Sequence, residues 1–320
     1  MDDHRTIADA TAVVLTGGKS SRMGRPKALL PFDGEPLIVH IVRHLKRVFA
    51  ETVVVAAPEQ ELPLLPVALV RDQVAYQGPV SGIYRGLKAA TKEVCFVTSC
   101  DAPFLDLALI SHLLSEISDC DVVVPFWQER FQPLHAVYRS SVAPLLKDQL
   151  ERGELRPIFL YDKVRTRKID ECEIPRLDPE GLSLLNMNSP ADYDAALQLW
   201  NKRNSISISV ELFGVARMLA KTQLVSLDLA QGATLAQVLS ALAERLPVLV
   251  GRVITSEGLI SGYTCNINGL DFVRAPSAKV SSGDKIFILD FIGNGSPHLH
   301  GDLCCHGELI SRTTYAVSPK

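Results

Sequence analysis

Short, unbroken apolar runs punctuate the first part of the chain. Val13–Leu15, Thr52–Ala56, Val67–Val70 and Val94–Thr98 carry no polar alternation. Such runs fit strands covered on both faces, as in a parallel sheet. Between the first two, Leu37, Ile38, Ile41, Val42, Leu45, Val48 and Phe49 recur at helical spacing behind Pro36, which suits a first helical turn. Ile83–Ala90 and Leu107–Ile117 read as further helices. This alternation from residue 13 to about 200 predicts a doubly wound, mostly parallel, Rossmann-like α/β domain. Ligands of such domains sit at the carboxyl ends of the strands.

The pattern changes after the polar stretch 201–205, read as a linker. Ile206, Ile208, Val210 and Leu212 alternate with Ser207, Ser209 and Glu211, the period of a half-exposed strand. Val225, Leu227 and Leu229 repeat it. Thr234 then opens a helix with Leu235, Val238, Leu239, Leu242 and Leu246 on one face, stopped by Pro247. Asn268-Gly269 marks a hairpin, and Ile286–Leu289 a last strand. The order β-β-α-β-β over residues 206–295 predicts a small α+β, ubiquitin-like β-grasp domain, followed by a tail over 296–320.

Composition narrows the partners. The 320 residues are 47% hydrophobic and 22% charged, enough for two packed cores. A formal charge of −3 makes no case for nucleic acid, and no apolar run approaches the ~20 residues of a membrane span. Seven cysteines without a C-x-x-C pair point to reduced thiols and a cytoplasmic setting. Cys95 and Cys100 read as small core residues.

The candidate chemistry begins where the first strand ends. Leu15-Thr16-Gly17-Gly18 leads into Ser20, Arg22, Met23, Gly24, Pro26 and Lys27. Glycines admit phosphate oxygens close to backbone N–H groups, and Arg22 and Lys27 can neutralise the same anion. Gly18-Lys19-Ser20 mimics the end of a P-loop, but Val13 stands where that motif needs glycine; no G-x-G-x-x-G follows either. The competing reading is a Gly/Ser-rich surface turn. Asp101, at the end of the strand 94–98, offers a carboxylate for a metal or a helix cap, although Asp106 can serve as the cap too. No Ser–His–Asp or Cys–His constellation is visible.

The run Leu15 to Leu30 resembles the N-terminal signature of molybdenum cofactor guanylyltransferases (MobA-like), L-A-G-G-x-S-x-R-M-G-x-D-K-x-L-L, with Thr16 in place of Ala and Pro26 in place of Asp. Cys100-Asp101-Ala102-Pro103-Phe104, Asp72 with Gly78-Pro79-Val80-Ser81-Gly82, and Asn186-Met187-Asn188-Ser189-Pro190 resemble later segments of that family. The resemblance implies a Mg²⁺-dependent transfer of GMP from GTP to the terminal phosphate of molybdopterin. It implies nucleotide contacts from Leu15, Thr16, Gly17, Gly18, Lys27, Asp72, Gly78, Gly82 and Asp101. It further implies catalytic roles for Arg22, Lys27 and Asp101, and metal contacts from Asp101 and Asn188. Ala56 stands where the family can place a nucleotide-binding Asn. Ser189-Pro190 also suits a helix N-cap and first turn. Gln132–Tyr138 resembles a stretch facing the acceptor, so His135 is a candidate for the pterin phosphate; it reads equally as a strand histidine bonded to backbone.

Alternatives are a cytidylyltransferase on the same pterin, a sugar-1-phosphate nucleotidyltransferase, or a non-catalytic cofactor-binding or sulfur-carrier fusion. Residues 206–295 resemble the sulfur carriers of molybdopterin synthesis (MoaD/ThiS-like) through Asn266–Gly269 and Ser282–Ile286. That resemblance leaves two uses: docking to other molybdenum-cofactor proteins, or a vestigial carrier. Carriage requires a free terminal Gly-Gly, where this chain reads Gly293-Asn294-Gly295 and continues. His298, His300, Cys304, Cys305 and His306 match no standard zinc spacing.

Overall fold

The computed structural model describes residues 7–17, 24–72 and 78–290. They form two units, divided between Trp200 and Asn201.

In the first unit the strands are β1 (Ile7–Leu15), β2 (Phe49–Ala56), β3 (Ala68–Arg71), β4 (Val94–Ser99), β5 (Val122–Trp127), β6 (His135–Arg139) and β7 (Thr166–Ile169). The helices are α1 (Leu37–Lys46), α2 (Gly78–Ala89), α3 (Leu107–Ser115), α4 (Ala143–Glu151) and α5 (Pro190–Arg203), with shorter turns between. The sheet order is β7-β5-β6-β4-β1-β2-β3, with the two-residue strand Arg130–Phe131 added on β5. β1 pairs parallel with both β2 and β4. Only β6 runs against its neighbours β4 and β5 along this path.

Successive residues of the central strands enter opposite cores, as the pleat requires. Val14, Phe96 and Val54 pack with Ile38, Leu45 and Leu109 on one face. Val13, Val53 and Val97 pack with Ile83, Leu146 and Tyr138 on the other. Burial on both faces explains why these strands read as continuous apolar runs.

Three expected boundaries move. The periodicity through Phe49 overruns α1, which ends at Lys46; Phe49 instead opens β2 and stacks on Phe96, ring centroids 6.0 Å apart. α2 begins at Gly78, earlier than the pattern from Ile83 suggests. The stretch 201–205 is not an open linker: 201–203 complete α5, and Ser205 already pairs with Ala230.

The second unit holds β8 (Ser205–Leu212), α6 (Gly214–Ala220), β9 (Leu224–Ala230), α7 (Leu235–Arg245), β10 (Tyr263–Ile267), β11 (Asp271–Val273) and β12 (Lys285–Asp290). Its sheet order is β9-β8-β12-β10-β11, with β8 and β12 parallel and the remaining pairs antiparallel. Counted within the unit this is 2-1-5-3-4, the β-grasp arrangement. Thr234 starts α7 with a reciprocal cap: the Gln237 side chain accepts the Thr234 N–H at 2.9 Å. Val238, Leu239 and Leu242 then face Ile208, Val210 and Ile288 in the core. Asn268, with φ of 56°, turns the β10–β11 hairpin beside Gly269. The tail residues, including Gly293 to Gly295 and the histidines and cysteines after them, lie outside the described residues. No helix among the described residues is long and apolar enough to cross a membrane.

Candidate functional site

From β1 the chain runs outward through β2 and β3, then returns to the other side of β1 as β4. The reversal opens a crevice just beyond the carboxyl ends of β1 and β4. Leu15 closes β1, and its carbonyl accepts the Cys100 N–H at 2.9 Å. Thr16 N–H donates to Val55 O at 2.9 Å, and Gly17 leads away. Gly18 and Arg22 lie outside the described residues. The chain resumes at Gly24, whose φ of 66° favours glycine, and a 3₁₀ turn from Lys27 to Leu29 carries the lysine back over the crevice.

The lysine ammonium meets the two oxygens expected to hold a metal. Lys27 Nζ lies 2.8 Å from Asp101 Oδ2 and donates to Asn188 Oδ1 at 3.1 Å. Asp101 is oriented from two sides: Ser99 Oγ donates to its other carboxylate oxygen, and Met187 N–H donates to its carbonyl at 2.9 Å. That last bond ties the segment before α5 to the end of β4, so residues 74 and 87 positions apart in sequence from Lys27 and Asp101, respectively, come together at one point. Asn188 and Ser189 N–H groups both donate to Asp192 Oδ2, which pulls the Asp192 carboxyl below its usual range, and Asp192 N–H returns a bond to Ser189 Oγ. Ser189 is therefore the expected cap, and the cap fixes its neighbour Asn188.

Asp72 follows β3, and its N–H donates to Ala56 O at 2.8 Å. Ser81 Oγ donates to Asp72 Oδ1 at 2.7 Å, and Arg85 Nε stands 3.7 Å from the same oxygen. Gly78 opens α2 with φ of 72°; a Cβ there would stand 3.1 Å from Leu155 O. Gly82 serves packing: a Cβ would meet Leu15 Cδ1 at 3.0 Å, so its absence lets α2 lie close on β1.

His135, first residue of β6, lines a cavity of about 250 Å³ with Ser99, Asp101, Gln132, Ser183 and Asn188. Its ring stands edge-on to Phe96, and neither ring nitrogen has a hydrogen-bond partner among the described residues. Burial pushes its pKa down to about 4, against a weaker upward pull from Asp178. A neutral imidazole has one donor and one acceptor to offer, not a cation. Nor is a backbone partner found for its side chain, contrary to the bland expectation for a strand histidine. Burial pushes the Cys95 thiol up to about 12 and raises Cys100 too, consistent with core packing and not with thiolate chemistry.

Sequence reasoning missed several supports. Gln60 and Arg71 brace the loop after β2; Ser81 orients Asp72; buried Asp178 accepts the N–H and hydroxyl of Ser183. Each sits in a stretch whose polar residues read as ordinary loop or helix surface. Only the G-P-x-S-G context of Ser81 could have singled one out.

A crevice at a strand-order reversal, with a basic turn facing a carboxylate, defines a nucleotide-handling α/β domain. The sequence pattern of the MobA-like NTP transferase domain matches residues 12–166. The molybdenum cofactor guanylyltransferase of Desulfosudis oleivorans is 32% identical over 188 residues, 58% of this chain and 93% of that protein. A Carboxydothermus hydrogenoformans protein described as a probable molybdenum cofactor guanylyltransferase is 34% identical over 195 residues, 61% of this chain and 98% of that protein. The chain belongs to the MobA-like molybdenum cofactor guanylyltransferase family and is a nucleotidyltransferase. The crystal structure of molybdopterin-guanine dinucleotide biosynthesis protein A from Archaeoglobus fulgidus shares the fold: TM-score 0.54 and 24% identity, covering 60% of this chain and 99% of that one. The second unit is a β-grasp by its own strand order.

Proposed function

We propose that the first unit transfers GMP from GTP to the terminal phosphate of molybdopterin and releases pyrophosphate. The observation that carries this reading is the convergence of Lys27, Asp101 and Asn188 at the crevice, in a chain of this family. In the reaction an acceptor phosphate oxygen forms a bond to the α-phosphorus. The bond from that phosphorus to the α–β bridging oxygen breaks, and pyrophosphate departs with the electron pair. The protein's work is to place the two phosphates in line and offset their charge.

Asp101 and Asn188 present hard oxygen donors on one point, a set that suits Mg²⁺ completed by phosphate and water. Bound there, Mg²⁺ would supply charge to the reacting phosphate oxygens. Lys27, drawn to the phosphates, neutralises charge on the departing group, with Arg22 as its expected partner. Thr16, Gly17, Asp72 and Gly78 line the nucleoside end. Ser81 holds one Asp72 oxygen, which orients the carboxylate toward ribose hydroxyls or guanine N–H groups. The cavity with His135 receives the acceptor, and its uncharged imidazole suits a neutral polar group of the pterin better than a phosphate. A cytoplasmic setting accords with the free thiols of Cys95, Cys100, Cys120, Cys172 and Cys265. The β-grasp unit is the proposed contact with other proteins of cofactor assembly.

Pyrophosphate release with Mg²⁺, a molybdopterin acceptor and either GTP or CTP tests the reading. GTP-dependent release is expected, with Asp101→Ala lowering turnover by about 10²–10³-fold, the scale of losing one charge-organising group. CTP-dependent release would overturn the base assignment. Acceptor binding without release from either nucleotide would overturn the enzyme reading in favour of a cofactor-binding protein.

A further inference from the structure

The parallel ladder between β1 and β2 ends in an unusual way. Its last backbone bond runs from Thr16 N–H to Val55 O. In a parallel pair the next rung would run from Ala57 N–H to Thr16 O. Instead the side-chain amide of Gln60 stands between those two groups. Ala57 N–H donates to Gln60 Oε1 at 3.2 Å, and Gln60 Nε2 donates to Thr16 O at 3.1 Å. The amide thus replaces one rung with two and spreads the strands by its own width. Thr16 Oγ1 adds a third bond, donating to Gln60 Oε1 at 2.9 Å.

The spacer is itself held. Arg71, last residue of β3, donates from Nη1 to the carbonyls of Ala57, Pro58 and Gln60 at 3.0, 3.1 and 3.0 Å. A loop whose carbonyls and side-chain amide are both engaged has little freedom left to lose when a ligand binds. Gly17 lies against the same loop: a Cβ there would stand 3.5 Å from Ala57 N. The backbone expected to meet the nucleoside is therefore placed by Gln60.

We propose that Gln60, locked by Arg71, is a positioning residue for the nucleoside end of the site, setting the separation of the Thr16–Gly17 backbone from the 57–60 loop. The inference rests on the nucleotidyltransferase reading above. Gln60 bonds none of Lys27, Asp101 and Asn188, where charge develops. Contacts it organises are made equally in the ground state and the transition state. Their loss raises KM and leaves kcat in place.

The test is steady-state pyrophosphate release by the full-length protein carrying Gln60→Ala or Gln60→Glu, over pH 5.5–8. Gln60→Ala is expected to raise the KM for GTP about tenfold, with kcat within about twofold of wild type. Gln60→Glu keeps the shape, but its second oxygen faces Thr16 O and repels it until protonated. Its KM should therefore fall back toward wild type as pH is lowered, while Gln60→Ala, measured alongside, shows no such recovery. Thermal melts over the same range separate lost folding from lost binding; because Gln60→Glu is its own control, the acid rescue reads positioning even if Gln60→Ala proves unstable. Unchanged KM in both variants, a fall in kcat at constant KM, or a Gln60→Glu profile parallel to Gln60→Ala would overturn the inference alone. Wild-type protein without nucleotide-dependent release would overturn it together with the reading beneath it.

Discussion

Lys27 illustrates how much of the site is decided by single side chains. Its ammonium is the countercharge of Asp101 and a donor to Asn188, and both Lys27 and Asp101 are 18% exposed. At that exposure the attraction is largely offset by the hydration both charges give up, so the net contribution of the pair to stability is small. The charge matters for what it can be traded against. Lys27→Met keeps most of the unbranched stem, one atom shorter, and removes the charge. It is expected to leave the thermal melting temperature within a few degrees of wild type and to cut GTP-dependent pyrophosphate release on the order of 10²–10³-fold. Differential scanning fluorimetry beside the turnover assay checks both halves; a melting loss that tracks the activity loss would make the lysine structural. These residues were legible before the fold was known, because Gly17, Gly18, Lys27 and the Cys100–Phe104 segment stand in a motif. Gln60 was not: Pro58-Glu59-Gln60-Glu61 reads as a polar surface turn, and nothing in it announces that one amide caps two strands.

Among elements, the seam between α2 and β1 leaves no room for an added methyl group. A Cβ on Gly86 would stand 2.2 Å from Val13 Cγ1, and Val13 is wholly buried in the central strand. Valine cannot swing aside cheaply, since its branched Cβ allows few rotamers. Gly86→Ala therefore sets a gain in helix propensity of about 1 kcal/mol against an overpacking cost of about 1–3 kcal/mol. The clash wins because the strand behind Val13 is pinned on both sides by β2 and β4. Urea denaturation should show net destabilisation, partly recovered in the Val13→Ala, Gly86→Ala double variant; additive losses would place the fault elsewhere. The elements themselves were largely legible. Unbroken apolar runs revealed β1, β2 and β4 because both their faces are covered. That β6 runs antiparallel was not legible, since His135–Arg139 is buried like the strands beside it and burial carries no direction. α1 ends before its periodicity does for a related reason: Phe49 satisfies helical spacing locally, but the sheet and Phe96 claim it.

At the scale of the molecule, two buried histidines make stability depend on pH. Burial, with Arg43 nearby, pushes His40 down to about 4; burial does the same for His135. An unfolded histidine titrates near 6.5, so the unfolded chain binds these protons first. Stability is fully present above about pH 6.5 and is lost as pH falls toward 4, by an amount on the order of 3 kcal/mol for each residue. Denaturation series from pH 7.5 to 4.5 should show this fall, and a His40→Leu, His135→Phe variant should flatten it; an equally steep variant would assign the loss to carboxylates. The two units also differ in when their sheets become possible. In the first, β1, which lies between β4 and β2, leaves the ribosome before either partner. In the second, β12 lies between β8 and β10 yet is made after them. Until residues 285–290 emerge, the β8–β9 pair and the β10–β11 hairpin share no edge, and Ile208, Val210 and Cys265 lack the strand that lies between them. A nascent chain halted just short of Lys285 would thus carry a finished nucleotide-handling unit and two unjoined strand pairs with exposed apolar edges, the kind of surface that chaperones and proteases engage.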